Sequence, residues 1–255
     1  MKIIAVVNLK GGVAKTTTVI NTAAIMAKKF GQKVLVIDAD SQANCTEFIQ
    51  RDKMHFFTLA DLLRRGYKPE NCHIEHSNID GVDLLPASEE LMDLDLTKVE
   101  LGSASATCLR DLLKGENGIG WAYAYALIDC PPAFNAASAA ALVAADAVVI
   151  PMKLDAFSLR GMGNILRQVR NMQKINAGLK IAGLLPTMWY KADNIQQAEA
   201  ALKGSGLEVF SHIRRTPKVD DMTFAQRPLI ESSPTSAAAK DYEAFVKELM
   251  VKEEK

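Results

Sequence analysis

Seven short runs rich in Val, Ile, Leu and Ala recur along the chain, at residues 2–8, 33–38, 82–86, 125–129, 147–151, 180–186 and 207–213. Several are apolar at consecutive positions, the pattern of strands covered on both faces, as in a parallel sheet. Between them, apolar residues at three- and four-residue spacing predict helices over 15–30, 59–65, 89–100, 104–114, 136–144, 159–175, 194–203 and 237–251. This alternation predicts an α/β fold: a doubly wound, mostly parallel sheet with helices on both faces and right-handed crossovers. No internal repeat or low-complexity linker interrupts it, so one domain spanning residues 1–255 is expected.

Composition narrows the function. Hydrophobic residues make up 49% of the chain, enough for a sizeable core. Thirty basic residues balance thirty acidic ones, so no global charge draws the protein to nucleic acid or anionic lipid, and any such contact needs a local patch. Cys45, Cys72, Cys108 and Cys130 are scattered without a C-x-x-C pair, which argues against a zinc site or a disulfide framework. The longest apolar stretch, 136–152, is alanine-rich and broken by Asp146, too short for a membrane span. With no signal-peptide pattern at the start, a cytoplasmic location is expected.

The candidate chemistry begins at residue 9. The strand IIAVVN feeds LKGGVAKTTTV, a glycine turn opening a helix at Lys15. Gly11 and Gly12 let the backbone of residues 11–14 fold round an anion, N–H groups inward, including those of Val13 and Ala14. The helix start adds unpaired N–H donors and partial positive charge. In this pattern Lys15 would reach the β- and γ-phosphates of a nucleotide, Thr16 would ligate Mg²⁺ and Thr17 would contact the α-phosphate. Leu9 and Ala14 stand where the common phosphate-loop pattern has glycine. If residue 14 needs positive φ, alanine costs about 1 kcal/mol; if φ is negative, the methyl is harmless. The sequence leaves both open.

The form x-K-G-G-x-x-K-[ST], with Lys10 before the glycines, resembles the deviant phosphate loop of the ParA/MinD family of ATPases. The resemblance covers nearly the whole chain. DADSQANCT, residues 38–46, is similar to that family's switch I segment D-x-D-P-Q-G-N-A-T, with Ser41 and Ala43 replacing proline and glycine. YALIDCPPAFN, residues 125–135, is similar to its second acidic motif and switch II. The segment from His212 to Leu249 resembles its C-terminal region, with Arg214 and Thr216 replacing proline and asparagine.

The resemblance implies a Mg²⁺-dependent ATPase that binds ATP and ADP. Asp40 would orient the attacking water, Asp38 would support the Mg²⁺ shell and Asp129 would hold the metal through water. Lys10 would reach across an ATP-dependent homodimer to the partner's phosphates, and Pro217 would flank the adenine. For a partition ATPase of this family, the dimer would bind nonspecific double-stranded DNA, associate with the nucleoid, and be released by a ParB-like partner. Lys191, Arg214, Arg215, Lys218 and Arg227 are the candidate phosphate-backbone contacts. The chain starts at its first strand, so an N-terminal helix-turn-helix is not expected. The alternative is a MinD-like or cargo-positioning ATPase acting through a membrane or a protein. A membrane role needs an amphipathic tail with a basic face, whereas AFVKELMVKEEK mixes acids with lysines.

Overall fold

The computed structural model describes residues 1–69, 72–94 and 104–253. Seven strands form one sheet: β1 (Lys2–Val6), β2 (Val34–Asp38), β3 (Glu75–His76), β4 (Val82–Leu85), β5 (Tyr125–Asp129), β6 (Ala147–Lys153) and β7 (Lys180–Thr187). Their order is β3-β4-β2-β5-β1-β6-β7, and every neighbouring pair is parallel except the short β3 against β4. The doubly wound α/β expectation holds.

The apolar strands are buried on both sides because alternate residues feed two cores. Ile3, Ala5 and Val7 face one layer with Leu35, Ile37 and Ile128. Ile4 and Val6 face the other with Val34, Val36 and Leu127. The first layer is covered by α3 (Leu59–Arg65), α4 (Ala104–Lys114), α5 (Ala136–Ala144) and α6 (Ala156–Gln173), with α7 (Asp193–Lys203) contributing Ile195 and Leu202. The second is covered by α1 (Lys15–Phe30), α2 (Asn44–Ile49), α8 (Lys218–Ala225), α9 (Leu229–Ser232) and α10 (Ala237–Glu253). Each buried Leu, Ile or Phe of these layers is worth about 1.5–3 kcal/mol relative to exposure.

Two expected elements do not form as read, and a third begins earlier. The segment 207–213 is no full strand: it touches β7 through an isolated parallel bridge, Leu184 to Val209. Gly183 explains the approach, since a Cβ there would lie 2.7 Å from the Phe210 ring. A helix over 89–100 is replaced, over Glu89–Asp93, by a 3₁₀ turn; the remainder, 95–100, lies outside the described residues. Helix α6 starts three residues earlier than its apolar period suggests, because Asp155 caps it by accepting from Ser158 N–H at 2.7 Å.

The parallel strands all end at one edge. Asp38 and Asp129 are register partners on β2 and β5, and Asp129 also pairs with Val6, the last residue of β1. The glycine turn leaves β1 at that edge, where open α/β sheets take their ligands.

Candidate nucleotide-binding site

The turn between β1 and α1 is anchored on both sides. The Asn8 side-chain amide donates to the Pro151 carbonyl at 2.8 Å, and its Oδ1 accepts the Lys10 N–H at 2.9 Å. Opposite, Thr187 Oγ1 donates to the Val13 carbonyl at 3.2 Å. Gly12 has φ 67° and Ala14 has φ 66°, both left-handed. The costlier alternative for Ala14 is therefore realised, at about 1 kcal/mol of local strain. Ala43, at the other position where the resembled motif carries glycine, is likewise left-handed at φ 53°, and it heads α2 as Ala14 heads α1.

No side chain caps α1, whose Thr18 N–H donates to the Ala14 carbonyl at 2.9 Å. The N–H groups of residues 15–17 are thus the helix's open first-turn donors. With the glycine turn they form a concavity suited to phosphate. The Lys15 ammonium donates to the Lys10 carbonyl at 3.2 Å and is largely buried. Burial lowers its pKa, against the opposing pull of Asp129 and Asp40. A buried lysine with one neutral acceptor is poised for an anionic partner.

Thr16 Oγ1 donates to Asp129 Oδ2 at 2.6 Å, while Asp129 Oδ1 is buried without a partner. Burial and the neighbouring Asp38 push the Asp129 pKa well up, only partly offset by Thr16 and Lys15. Asp38 is fully buried, which raises its pKa to about 6. Its Oδ2 accepts from Thr46 N–H and Oγ1, both at 2.8 Å, and its Oδ1 accepts the Asp40 N–H at 3.0 Å. An orphaned carboxylate oxygen beside a threonine hydroxyl, with a second carboxylate on the next strand, fits a hard divalent cation such as Mg²⁺. Asp40 stands at the rim, partly exposed, its Oδ1 accepting from Gln42 N–H at 3.1 Å.

Lys10 is engaged within its own chain. Its ammonium donates to Asp155 Oδ2 at 2.9 Å, Asp155 Oδ1 at 3.0 Å and Ser158 Oγ at 3.0 Å. Against a burial penalty, the Lys10 and Ser158 hydrogen bonds hold the Asp155 carboxyl down at about 2.

A cavity of about 340 Å³ opens beside the first turn of α1, lined among others by Ala14, Thr17, Tyr190, Arg214, Thr216 and Val219. Pro217 caps α8 between the last two of these. Its size and its position beyond Thr17 suit a nucleoside.

The five cations singled out in the sequence do not form a free basic cluster. Arg214 lines the cavity and makes two charged hydrogen bonds to Asp241, at 2.9 and 2.7 Å. Lys218 pairs with Asp221 at 2.8 Å and Arg227 with Glu231 at 3.4 Å. Lys191 and Arg215 are exposed and make no ion pair with a described residue. The sequence reading did not single out Asn8, Asp155, Ser158, Thr187 or Tyr190. Of these only Asp155, an aspartate before a helix, carries a local signal.

A family model described as an AAA domain matches residues 1–181. The chromosome partitioning protein ParA of Caulobacter vibrioides is 31% identical over 260 residues, covering 99% of this chain and 95% of that protein. The chromosome-partitioning ATPase Soj of Thermus thermophilus is 33% identical over 257 residues, covering 98% of this chain and 95% of its own. Among solved structures, apo McdA of Cyanothece superposes with a TM-score of 0.84 at 25% identity, covering 98% of this chain and 99% of its own.

Proposed function

Since the chain belongs to the ParA/MinD-type P-loop ATPases, we propose that it is a partition ATPase. In this reading it binds ATP with Mg²⁺ and hydrolyses it slowly. The nucleotide controls a homodimer that holds double-stranded DNA on the nucleoid without sequence preference, until a ParB-like partner releases it. The observation that carries the reading is the convergence of Lys15, Thr16 and Asp129 under a left-handed turn, with one buried carboxylate oxygen unpartnered.

The chemistry asked of the chain is positioning and charge neutralisation. The N–H groups of residues 11–17 cradle the phosphates and Lys15 balances their charge. Thr16 and Asp129, with Asp38 behind, would hold Mg²⁺, which would supply neutralisation of the phosphate charge. Asp40, at the rim, orients a water for in-line attack. Thr17, Tyr190 and the 214–219 segment enclose the nucleoside. Lys10 leaves Asp155 to meet the partner subunit's nucleotide, which makes dimerisation depend on ATP.

A tail lying on a membrane is not favoured. α10 packs Tyr242, Phe245, Val246 and Leu249 into the core shared with α1. Among the described residues no helix is long and apolar enough to cross a membrane.

The test compares phosphate release and duplex binding with ATP, with ADP and without nucleotide. ATP-selective binding of unrelated duplexes, with turnover raised by DNA, is expected. A protein that binds no ATP overturns the reading.

A further inference from the structure

Charge along this neutral chain is unevenly distributed. Between Asp155 and Asp193 there is no acidic residue, while Arg160, Arg167, Arg170, Lys174, Lys180 and Lys191 lie in that interval. All six are exposed, and none makes an ion pair with a described residue. Four belong to α6 or the residue after it. Arg160, Arg167 and Lys174 are seven residues apart, almost two whole turns, so they fall along one line of about 21 Å. Arg170 stands one turn beyond Arg167 on the same exposed side. The opposite side of α6, Ile165, Val169 and Met172, is buried in the core.

We propose that the outer face of α6 is the surface that carries the duplex DNA backbone. The inference rests on the partition-ATPase reading for its partner and departs from the C-terminal cations for its location. Two observations favour nucleic acid over an acidic protein. First, along the stretch from Arg167 to Lys174 and the turn before it, the exposed residues between the cations are Asn164 and Asn171, amides that hydrogen-bond phosphate and sugar. The exposed aromatic of α6, Phe157, lies in its first turn against Arg160, beside Lys10 and away from that stretch. Protein interfaces instead centre on apolar or aromatic anchors. Second, three of the four α6 cations are arginine, whose planar fork suits phosphate, and they are unneutralised. By contrast Arg214, Lys218 and Arg227 spend their charge on Asp241, Asp221 and Glu231.

The experiment measures binding of a 60-base-pair duplex by fluorescence anisotropy, with Mg-ATP, across a salt series. Three proteins are compared: the unaltered chain, Arg167→Glu/Arg170→Glu, and the neutralising Arg167→Gln/Arg170→Gln/Lys174→Gln. These positions lie outside the nucleotide site, so ATP affinity and thermal unfolding are expected to match the unaltered chain. DNA affinity is expected to fall at least about tenfold at low salt, and the salt slope to shrink by roughly 2 to 3 for the neutralised triple, near 0.9 per lost phosphate contact. Equal affinity and slope in all three proteins overturns the α6 surface and leaves the DNA-binding reading standing. Absence of duplex binding by the unaltered chain in every nucleotide state overturns both. Loss of binding to polyglutamate with DNA binding retained would make the occupant an acidic protein and overturn the assignment.

Discussion

Lys10 and Asp155 lie 145 residues apart in sequence and 2.9 Å apart in space. The lysine assigned to the partner subunit's nucleotide is thus held at home by the residue that caps α6. Asp155→Asn keeps an N-cap acceptor but removes the charge. ATP-dependent dimerisation is expected at about two- to fivefold lower protein concentration, the range of a partly exposed pair. Sedimentation across a concentration series with Mg-ATP reads it. Lys10→Ala should bind ATP as a monomer and not dimerise.

The same pair has a defined pH window. The folded carboxyl of Asp155 is held at about 2, below its unfolded value, so it contributes stability above that unfolded value. The contribution is lost as pH falls through about 2. The melting-temperature difference between the unaltered chain and Asp155→Asn is therefore expected to stay constant from pH 5 to 8 and to close only in strong acid. A difference that changes near pH 6 would contradict the pairing.

Ala14 and Ala43 each hold a left-handed backbone in which the methyl is strained. Ala14→Gly and Ala43→Gly should each stabilise by about 0.5–1 kcal/mol after the entropy of glycine in the unfolded chain is subtracted. That is roughly 1–3 °C in Tm for a chain of this size, readable by calorimetry. The converse change, Gly12→Ala, meets no atom within 4 Å, so its cost of about 1 kcal/mol is backbone strain alone.

These alanines show what was legible in the sequence. The two glycine positions could be named from the motif, but the φ that decides their cost belongs to turns held by other groups: Thr187 and Asn8 grip the turn that leads to Ala14, and the Ala43 N–H donates to the Asp40 carbonyl. Strand β5 and helices α1, α3, α4 and α5 have the bounds their local pattern predicts, because apolar period and caps act within the segment. Helix α8 went unread although Pro217 and the first-turn acids Asp220 and Asp221 mark its start. β3 has two residues, too few for any period. Lys15 and Thr16 were legible because the loop motif fixes their order, and Asp129 because it ends an apolar strand in the segment YALIDCPP. The Lys10 clasp, the Thr187 anchor and the Arg214–Asp241 pair were not, since each joins residues far apart in sequence.

Arg214 sits where a sequence reading places DNA contact, yet it ties the 214–217 segment to α10 through Asp241. Arg214→Ala is therefore expected to weaken ADP binding several-fold while leaving the salt slope of duplex binding unchanged. Titration calorimetry with Mg-ADP, beside the anisotropy series, separates the two roles. An unchanged ADP affinity with a reduced salt slope would return Arg214 to the DNA surface.

Asp40 offers the sharpest check on the hydrolytic step. Asp38 and Asp129 are buried at adjoining strand ends, whereas Asp40 stands in a partly exposed turn with one oxygen on Gln42 N–H. It can therefore turn toward an incoming water without uncovering a buried charge. Asp40→Ala is expected to bind ATP with near-unaltered affinity, because phosphate grip rests on Lys15 and the N–H groups of the turn. Turnover should fall by about 10²–10⁴, the usual contribution of a positioned acid–base group. The variant should then accumulate as an ATP-bound dimer. Phosphate release and sedimentation on the same sample read both effects. Ordinary turnover would remove Asp40 from the mechanism, and loss of ATP binding would mean that the turn at residues 40–43 is part of the nucleotide grip.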